Sequence, residues 1–252
     1  MIIQGYVMRF YILTFLILIN YSSFSQFTTK YRLAAGLFTT QIIGNNPAKL
    51  PMIATSDTDE AVTGGSFPDA QPGIEFRLTF PIDDKDNFRI PFNIDYSFFR
   101  GKERINYNRN IIDYFSHTLN VLGINTGLHY VFLYVPFARA KVYTGLEARI
   151  SYVHNIDVEW FRDYVNNDVF KDELYKVPPK DNAFRLGGTF KLGVDGRLKD
   201  NLFINTGFGI AITNLIGKND ARGELFTPIT LQETGESNVI NLHVFILIQY
   251  NL

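Results

Sequence analysis

The sequence predicts an all-β protein, an antiparallel up-and-down transmembrane β-barrel of about eight strands. Three observations carry this expectation. The first is the C-terminal stretch: Ile240, Leu242, Val244, Ile246, Ile248, Tyr250 and Leu252 alternate with Asn241, His243, Phe245, Leu247, Gln249 and Asn251. Successive strand side chains point to opposite faces, so this is one long strand with a wholly apolar face. Such an edge invites aggregation unless it closes against another strand. The second is that the same alternation recurs along the chain. The third is that the connections between these segments alternate long and short, as in barrels with long outer loops and short inner turns.

Composition agrees. The 252 residues suit one all-β domain. The formal net charge of −1 gives no global positive field for nucleic acid. The lack of cysteine excludes disulfides, thiolate zinc sites and a lipid-anchored N-terminal cysteine. Phe and Tyr are abundant, at 23 and 14, yet the mean hydropathy is only −0.02. Apolar residues diluted by alternation give that combination.

The one continuous apolar run is N-terminal. Arg9 precedes Phe10-Tyr11-Ile12-Leu13-Thr14-Phe15-Leu16-Ile17-Leu18-Ile19, and a small-x-small site follows at Ser23-Phe24-Ser25. Residues 1–25 therefore read as a secretory signal peptide, and 26–252 as the barrel domain, delivered to the cell outer membrane. Met8 is a candidate start, and the run is short for a spanning helix.

The strands follow in order. Strand one spans 28–40, with Tyr31, Leu33, Ala35 and Leu37 on one face. A long polar loop, 44–71, leads to strand two at 73–80, where Ile74, Phe76, Leu78 and Phe80 oppose Glu75, Arg77 and Thr79. After a turn at 83–87, strand three (88–100) sets Ile90, Phe92, Ile94, Tyr96 and Phe98 against Arg89, Asn93, Asp95 and Ser97. A charged segment at 101–112 reads as a loop. Strand four spans 114–133, with clean alternation only in its second half and room for a bulge in the first. A short connection at 134–137 leads to strand five, 138–153. The loop 154–181 follows, then strand six at 182–198, a tight turn, and strand seven at 202–215. The loop 217–237 precedes the terminal strand.

Packing volume says which face is outside. An eight-stranded barrel encloses only enough room for side chains or one small ligand. Turned inward, Phe76, Phe80, Phe92, Tyr96, Phe98, Tyr130, Phe132, Phe184, Phe190, Phe208 and Tyr250 would overfill it. The other face mixes small residues with charges of both signs, which can pair. Counting along the strands puts Lys141 opposite Asp195 and Glu147 within diagonal reach of Lys191. Aromatics at the strand ends form two girdles: Tyr31, Phe80, Tyr130, Phe132 and Tyr250 at one rim, and Tyr96, Phe98, Tyr152 and Phe184 at the other.

This pattern resembles the small eight-stranded outer-membrane barrels of the OmpA/OmpX type and the broader outer-membrane β-barrel domain family of Gram-negative bacteria. The resemblance covers 27–252 and rests on architecture. It implies assembly by the barrel-assembly machinery, which in this family reads a terminal aromatic residue; here Tyr250 stands two before Leu252. No periplasmic wall-binding domain is expected after the barrel, so a wall-anchoring role is not implied.

Chemical motifs are sparse. P-loop, dinucleotide and His-Glu-x-x-His signatures are missing. Asp57-Thr58-Asp59-Glu60 reads as a solvated acidic loop, not a calcium site. Ser116 and His117 lie on opposite strand faces, but Ser116 and His154 could meet across a hairpin, with Asp113 or Asp157 nearby, as a hydrolytic triad. The plainer alternative is two polar rim residues. Val158, Phe161, Tyr164 and Val165 approximate helical spacing around Trp160, so 154–181 reads as a surface helix or a binding face for an extracellular partner. The expected role is structural or surface-interacting (adhesive), without cofactor, metal or catalytic residues. The alternatives are a narrow pore or ligand-uptake barrel, and an outer-leaflet lipid hydrolase.

Overall fold

The computed structural model describes residues 31–52, 64–108, 110–165, 171–176, 178–228 and 235–252. Its strands are β1 (Arg32–Ile43), β2 (Gln71–Pro81), β3 (Phe88–Asn108), β4 (Ile111–Val135), β5 (Ala140–Tyr164), β6 (Glu173–Lys176), β7 (Ala183–Lys199), β8 (Leu202–Ile216) and β9 (Ile240–Asn251). Each long strand pairs antiparallel with its sequence neighbour, and β9 pairs with β1 from Arg32↔Asn251 to Ile43↔Ile240. Eight long strands thus form a closed ring, and β6 is a short addition that pairs with β5 alone among the described strands. Closure removes the open edge that the terminal strand would otherwise present.

The polarity is inside out, as expected. Along β9, Val244, Ile246, Ile248 and Tyr250 are exposed while Asn241, His243 and Gln249 are buried. The same holds around the ring: Phe76, Phe92, Phe184, Phe190 and Phe208 face outward, and Glu75, Arg77, Asn93, Asp95, Glu147, Arg149 and Lys191 face inward. A face of this kind is stable only against lipid. Tyr31 meets Phe80, and Phe88 meets Tyr130, at the short-turn rim. At the other rim Tyr96 contacts Phe98 and His154, and Tyr152 stacks on Phe184. Both girdles are therefore present.

Two expectations about the long connections are overturned. The segment 101–112 is not a loop: β3 runs to Asn108, and β4 begins at Ile111. Nor is 154–165 a surface helix, because β5 continues to Tyr164. At Asn155, whose φ is 52°, two residues of β5 (Asn155 and Ile156) answer one of β4 (Leu119), and the side-chain parity switches. Beyond that bulge both sheet faces lack a lipid partner, so apolar residues sit on either face and their spacing imitates a helix. The signal peptide, the acidic stretch 57–60 and the first residues of the expected strand one, 28–30, lie outside the described residues.

Candidate functional site

The lumen is occupied by layers of paired charged and polar side chains. At the short-turn end Asp86 accepts from Arg89 through Nε and Nη2, both at 2.8 Å, from Lys141 Nζ at 2.7 Å, and from Arg32. Asp195 accepts from Arg89 and from the Asn205 amide. Lys141 does stand opposite Asp195 in the ladder, but its ammonium reaches across to Asp86 instead. In the middle layer Glu147 accepts from Lys191 at 3.0 Å, His129 Nε2 at 2.7 Å and the Asn93 amide at 2.9 Å. Glu75 holds Arg77 at 2.7 Å and lies 3.5 Å from Lys191. Above them Asp95 and Arg149 form a two-pronged pair at 2.7 and 2.8 Å, joined by Asn125. Buried charges are tolerable because each has an opposite partner and further hydrogen bonds.

Large inward side chains need space on the facing strand, and glycine provides it. A Cβ at Gly193 would lie 2.5 Å from the Tyr143 ring, and one at Gly145 only 2.1 Å from the His129 ring. His129 and Tyr143 stack on each other, at 4.8 Å between centroids. The wall is not wholly polar, however. Phe38, Phe245, Leu247 and Ala34 form an inward apolar patch on β1 and β9, and the Arg77 guanidinium lies 4.8 Å above Phe245.

The long-loop end carries an apolar plug. Phe67 and Ala48 from the first long loop and Leu225 and Phe226 from the last meet Ile42, Phe99, Leu119, Val121, Val153 and Val239 on the strands. The loops are tied in place by Phe67 N donating to Ala48 O and by a 2.9 Å contact between His117 Nδ1 and Gly65 O. Arg185 binds Glu236 at 2.6 Å, and the same carboxylate accepts from Asn214 and from the Asn219 N–H. Burial pushes the Glu236 carboxyl up. The hydrogen bonds from Arg185, Asn219 and Asn214 outweigh it and hold the carboxyl below its ordinary range. The sequence offered little warning of this plug; isolated aromatics such as Phe67 and Phe226 within polar loops were the only signal.

Past the plug, β3, β4, β5 and β6 continue as a separate sheet. From Arg100 to Asn108 β3 adds about 27 Å at the usual rise per residue. The inner face is an aromatic stack: Phe115 on Trp160 at 5.6 Å, Trp160 on Tyr175 at 4.6 Å, and Arg162 5.0 Å over Trp160. Arg162 also makes two hydrogen bonds to Asp113, at 2.8 and 2.9 Å. The outer face shows Tyr114 against Phe161, Arg104 over Tyr114, and exposed Leu174.

The candidate triad is not assembled. Ser116 pairs with Glu159, whereas His154 pairs with Asn120, four residues along β4. His154 stacks on Tyr152 in the outward girdle, and Asp113 is committed to Arg162. Asp157 pairs with Thr118. Among the described residues, no group of three His, Asp or Glu side chains is placed to hold a metal ion.

No family model matches the chain, and no curated protein matches it. Among solved structures, Neisserial surface protein A (NspA) is similar over 88% of this chain and 97% of its own, with 14% identity and a TM-score of 0.43. Ail, the attachment invasion locus protein of Yersinia pestis, is similar over 89% of this chain and 99% of its own, with 7% identity and a TM-score of 0.36. The same protein in complex with the heparin analogue sucrose octasulfate has the same coverage and identity, with a TM-score of 0.39. Eight long antiparallel strands closed into a ring, polar within and apolar without, give this chain the fold of a small outer-membrane β-barrel.

Proposed function

We propose that the protein is an integral outer-membrane barrel that works at the cell surface through its protruding sheet, as an interaction or adhesion protein. The observation that carries this reading is the contrast between the two ends of β3, β4 and β5. Inside the barrel their side chains are consumed by the paired lumen network. Above the rim they hold exposed Tyr114, Leu174 and Arg104 on a rigid, aromatic-braced scaffold. Aromatic and Arg side chains on a rigid element are the usual anchors of protein interfaces. The long connections face outward in this reading, and the signal peptide is removed before Gln26. Outer-membrane lipids and, during biogenesis, the barrel-assembly machinery are its immediate partners.

The test compares cells carrying wild-type protein with cells carrying Tyr114→Ser/Phe161→Ser/Leu174→Ser. Adhesion to host cells or to neighbouring bacteria should fall about tenfold, the equivalent of ~1.4 kcal/mol at the interface, with unchanged barrel in the outer membrane. Unchanged adhesion would remove the proposal. A cysteine at Lys176 should react with an impermeant maleimide on whole cells and one at Lys85 should not; the reverse would invert the orientation. N-terminal sequencing of membrane-extracted protein should begin at Gln26.

A second reading, a narrow pore, has one observation in its favour. Along β1 and β9, Thr40 Oγ1, Asn241 Oδ1, His243 Nε2 and Gln249 Nε2 are buried without a hydrogen-bond partner among the described residues. Polar atoms of this kind are normally satisfied by water. Planar-bilayer recording separates the readings: stable, ion-selective conductance would favour the pore.

A further inference from the structure

The short-turn mouth of the barrel contains a cavity of about 360 Å³. That volume lies within the ~300–1,000 Å³ typical of small-molecule sites. Its walls include Arg32, Arg139, Lys141 and Arg197, against a single carboxylate, Asp195. Asp195 is already engaged by Arg89 and Asn205, and Lys141 is bound to Asp86. Arg32 pairs with Asp86 and Asp195, so the cations of the wall without an ion pair among the described residues are Arg139 and Arg197.

Two features go beyond a count of charges. Arg139 and Arg197 sit on adjacent backbones, tied by a hydrogen bond from the Arg197 N–H to the Arg139 carbonyl at 3.2 Å. Arg139 adopts a left-handed conformation, with φ 46°. Both residues line the one opening, where two like charges favour an anion; Arg197 Nε donates to the Asp200 carbonyl at 2.9 Å. Independently, Arg32 is 9% exposed, and its Nε has no hydrogen-bond partner among the described residues. Its ladder partner Asn251 also lines the cavity. An orphaned buried guanidinium N–H is costly, and an oxyanion or water answers it.

We infer that this mouth binds a phosphate-type oxyanion, held by Arg139, Arg197 and Arg32. Planar guanidinium groups match the paired oxygens of phosphate. Exposed Tyr134 and half-buried Phe203 complete the wall beside the lipid-facing surface. The phosphate can therefore belong to an anionic phospholipid of the adjoining leaflet or be free in solution. The proposal depends on the barrel alone and not on the protruding sheet, so its fate is separate from that of the adhesive reading.

The test uses the full mature chain refolded in zwitterionic detergent. Bound lipid is counted by native mass spectrometry after mixing with phosphatidylglycerol or phosphatidylcholine. In parallel, inorganic phosphate is titrated against the thermal midpoint, with ionic strength held constant by chloride. One phosphatidylglycerol should be retained per barrel in preference to phosphatidylcholine. Arg139→Ala/Arg197→Ala, both at exposed positions, should lower that occupancy at least about tenfold, the size of one charge-assisted hydrogen bond. Arg139→Lys/Arg197→Lys should recover part of it. If inorganic phosphate also raises the midpoint saturably in the wild type and not in the alanine variant, free phosphate suffices as the ligand. If only phosphatidylglycerol binds, the lipid headgroup is the source. Equal retention of the two lipids with no phosphate effect, binding that survives the alanine variant, or no binding at all would overturn the site.

Discussion

Glu147→Gln probes the lumen network at its most connected point. The carboxylate receives Lys191 at 3.0 Å, His129 at 2.7 Å and Asn93 at 2.9 Å, and Glu147 is 4% exposed. Glutamine keeps one acceptor oxygen but turns an N–H₂ toward these donors and removes the charge that balances Lys191. Breaking a buried pair by removing one partner costs ~3–5 kcal/mol. Glu75, still 3.5 Å from Lys191, offsets part of that, so the expected loss is about 2–3 kcal/mol. The comparison is Leu146→Val, one residue away and 68% exposed on the lipid face. It deletes one methylene and opens no cavity, at under ~0.8 kcal/mol. Reversible urea unfolding from detergent or vesicles measures both. With a slope of ~2–3 kcal/mol per molar, Glu147→Gln should shift the midpoint down by about 1 M and Leu146→Val by a fraction of that. Glu147→Gln/Lys191→Met should recover part of the loss, since the orphaned ammonium is gone. Equal shifts for Glu147→Gln and Leu146→Val, with altered ion selectivity in a bilayer, would show that the lumen is a water path and refute the reasoning.

Three further outcomes are expected. Gly193→Ala should cost ~1–3 kcal/mol by driving a methyl into the Tyr143 ring, while Gly196→Ala, where the nearest atom is Ile204 Cγ2 at 3.4 Å, should be nearly silent in the same melt. The Glu236 carboxyl is held low by Arg185, Asn219 and Asn214 against its burial, so its contribution is complete above the ordinary glutamate value of 4.5 and is lost as pH falls through the lowered one. Limited acid-protease digestion should therefore release the loop after β8 only below that range, and Glu236→Gln should abolish the pH dependence. Trp160 is the only tryptophan, so its emission reports on the protruding sheet; bromines placed in the bilayer centre should leave it unquenched, and strong quenching would mean that the sheet lies in the membrane.

The parts legible in sequence are those with one wet and one lipid-facing side. Along β9 and β3 the lipid imposes a strict alternation, and along β5 and β7 the same alternation sets which residues share the inner face. That is why Lys141 falls opposite Asp195 and Glu147 reaches Lys191 as counted. The pairing of Lys141 with Asp86, 55 residues away across the lumen, is invisible to a ladder count. The protruding sheet was not legible because apolar residues fall on both of its faces: Val158 points inward and Phe161 outward, and the bulge at Asn155 shifts their phase relative to the first half of β5. The same blindness produced the candidate Ser116–His154 pair, which the bulge and the actual register separate. The mouth site has no local signature at all, since Arg139 and Arg197 are 58 residues apart and meet only through the pairing of β5 with β7.

The lumen network also constrains how the protein can reach its final state. Arg32 pairs with Asp86 and Asp195, 54 and 163 residues away, and Arg89 with Asp195, 106 residues away. A hairpin of β2 and β3, inserted alone, would carry the Asp95 carboxylate into hydrocarbon without Arg149, its partner 54 residues further on, and an unpaired charge near the bilayer centre costs ~2.5–3.5 kcal/mol even on insertion scales. The final strand, which seals against the first, is also the last to be synthesised. Stepwise hairpin-by-hairpin entry is therefore penalised at each stage before closure, and the chain should cross into the bilayer in one concerted event from a sheltered, water-facing intermediate. Such contacts, distant in sequence, also make for slow folding, leaving time for that shelter to be supplied by another protein.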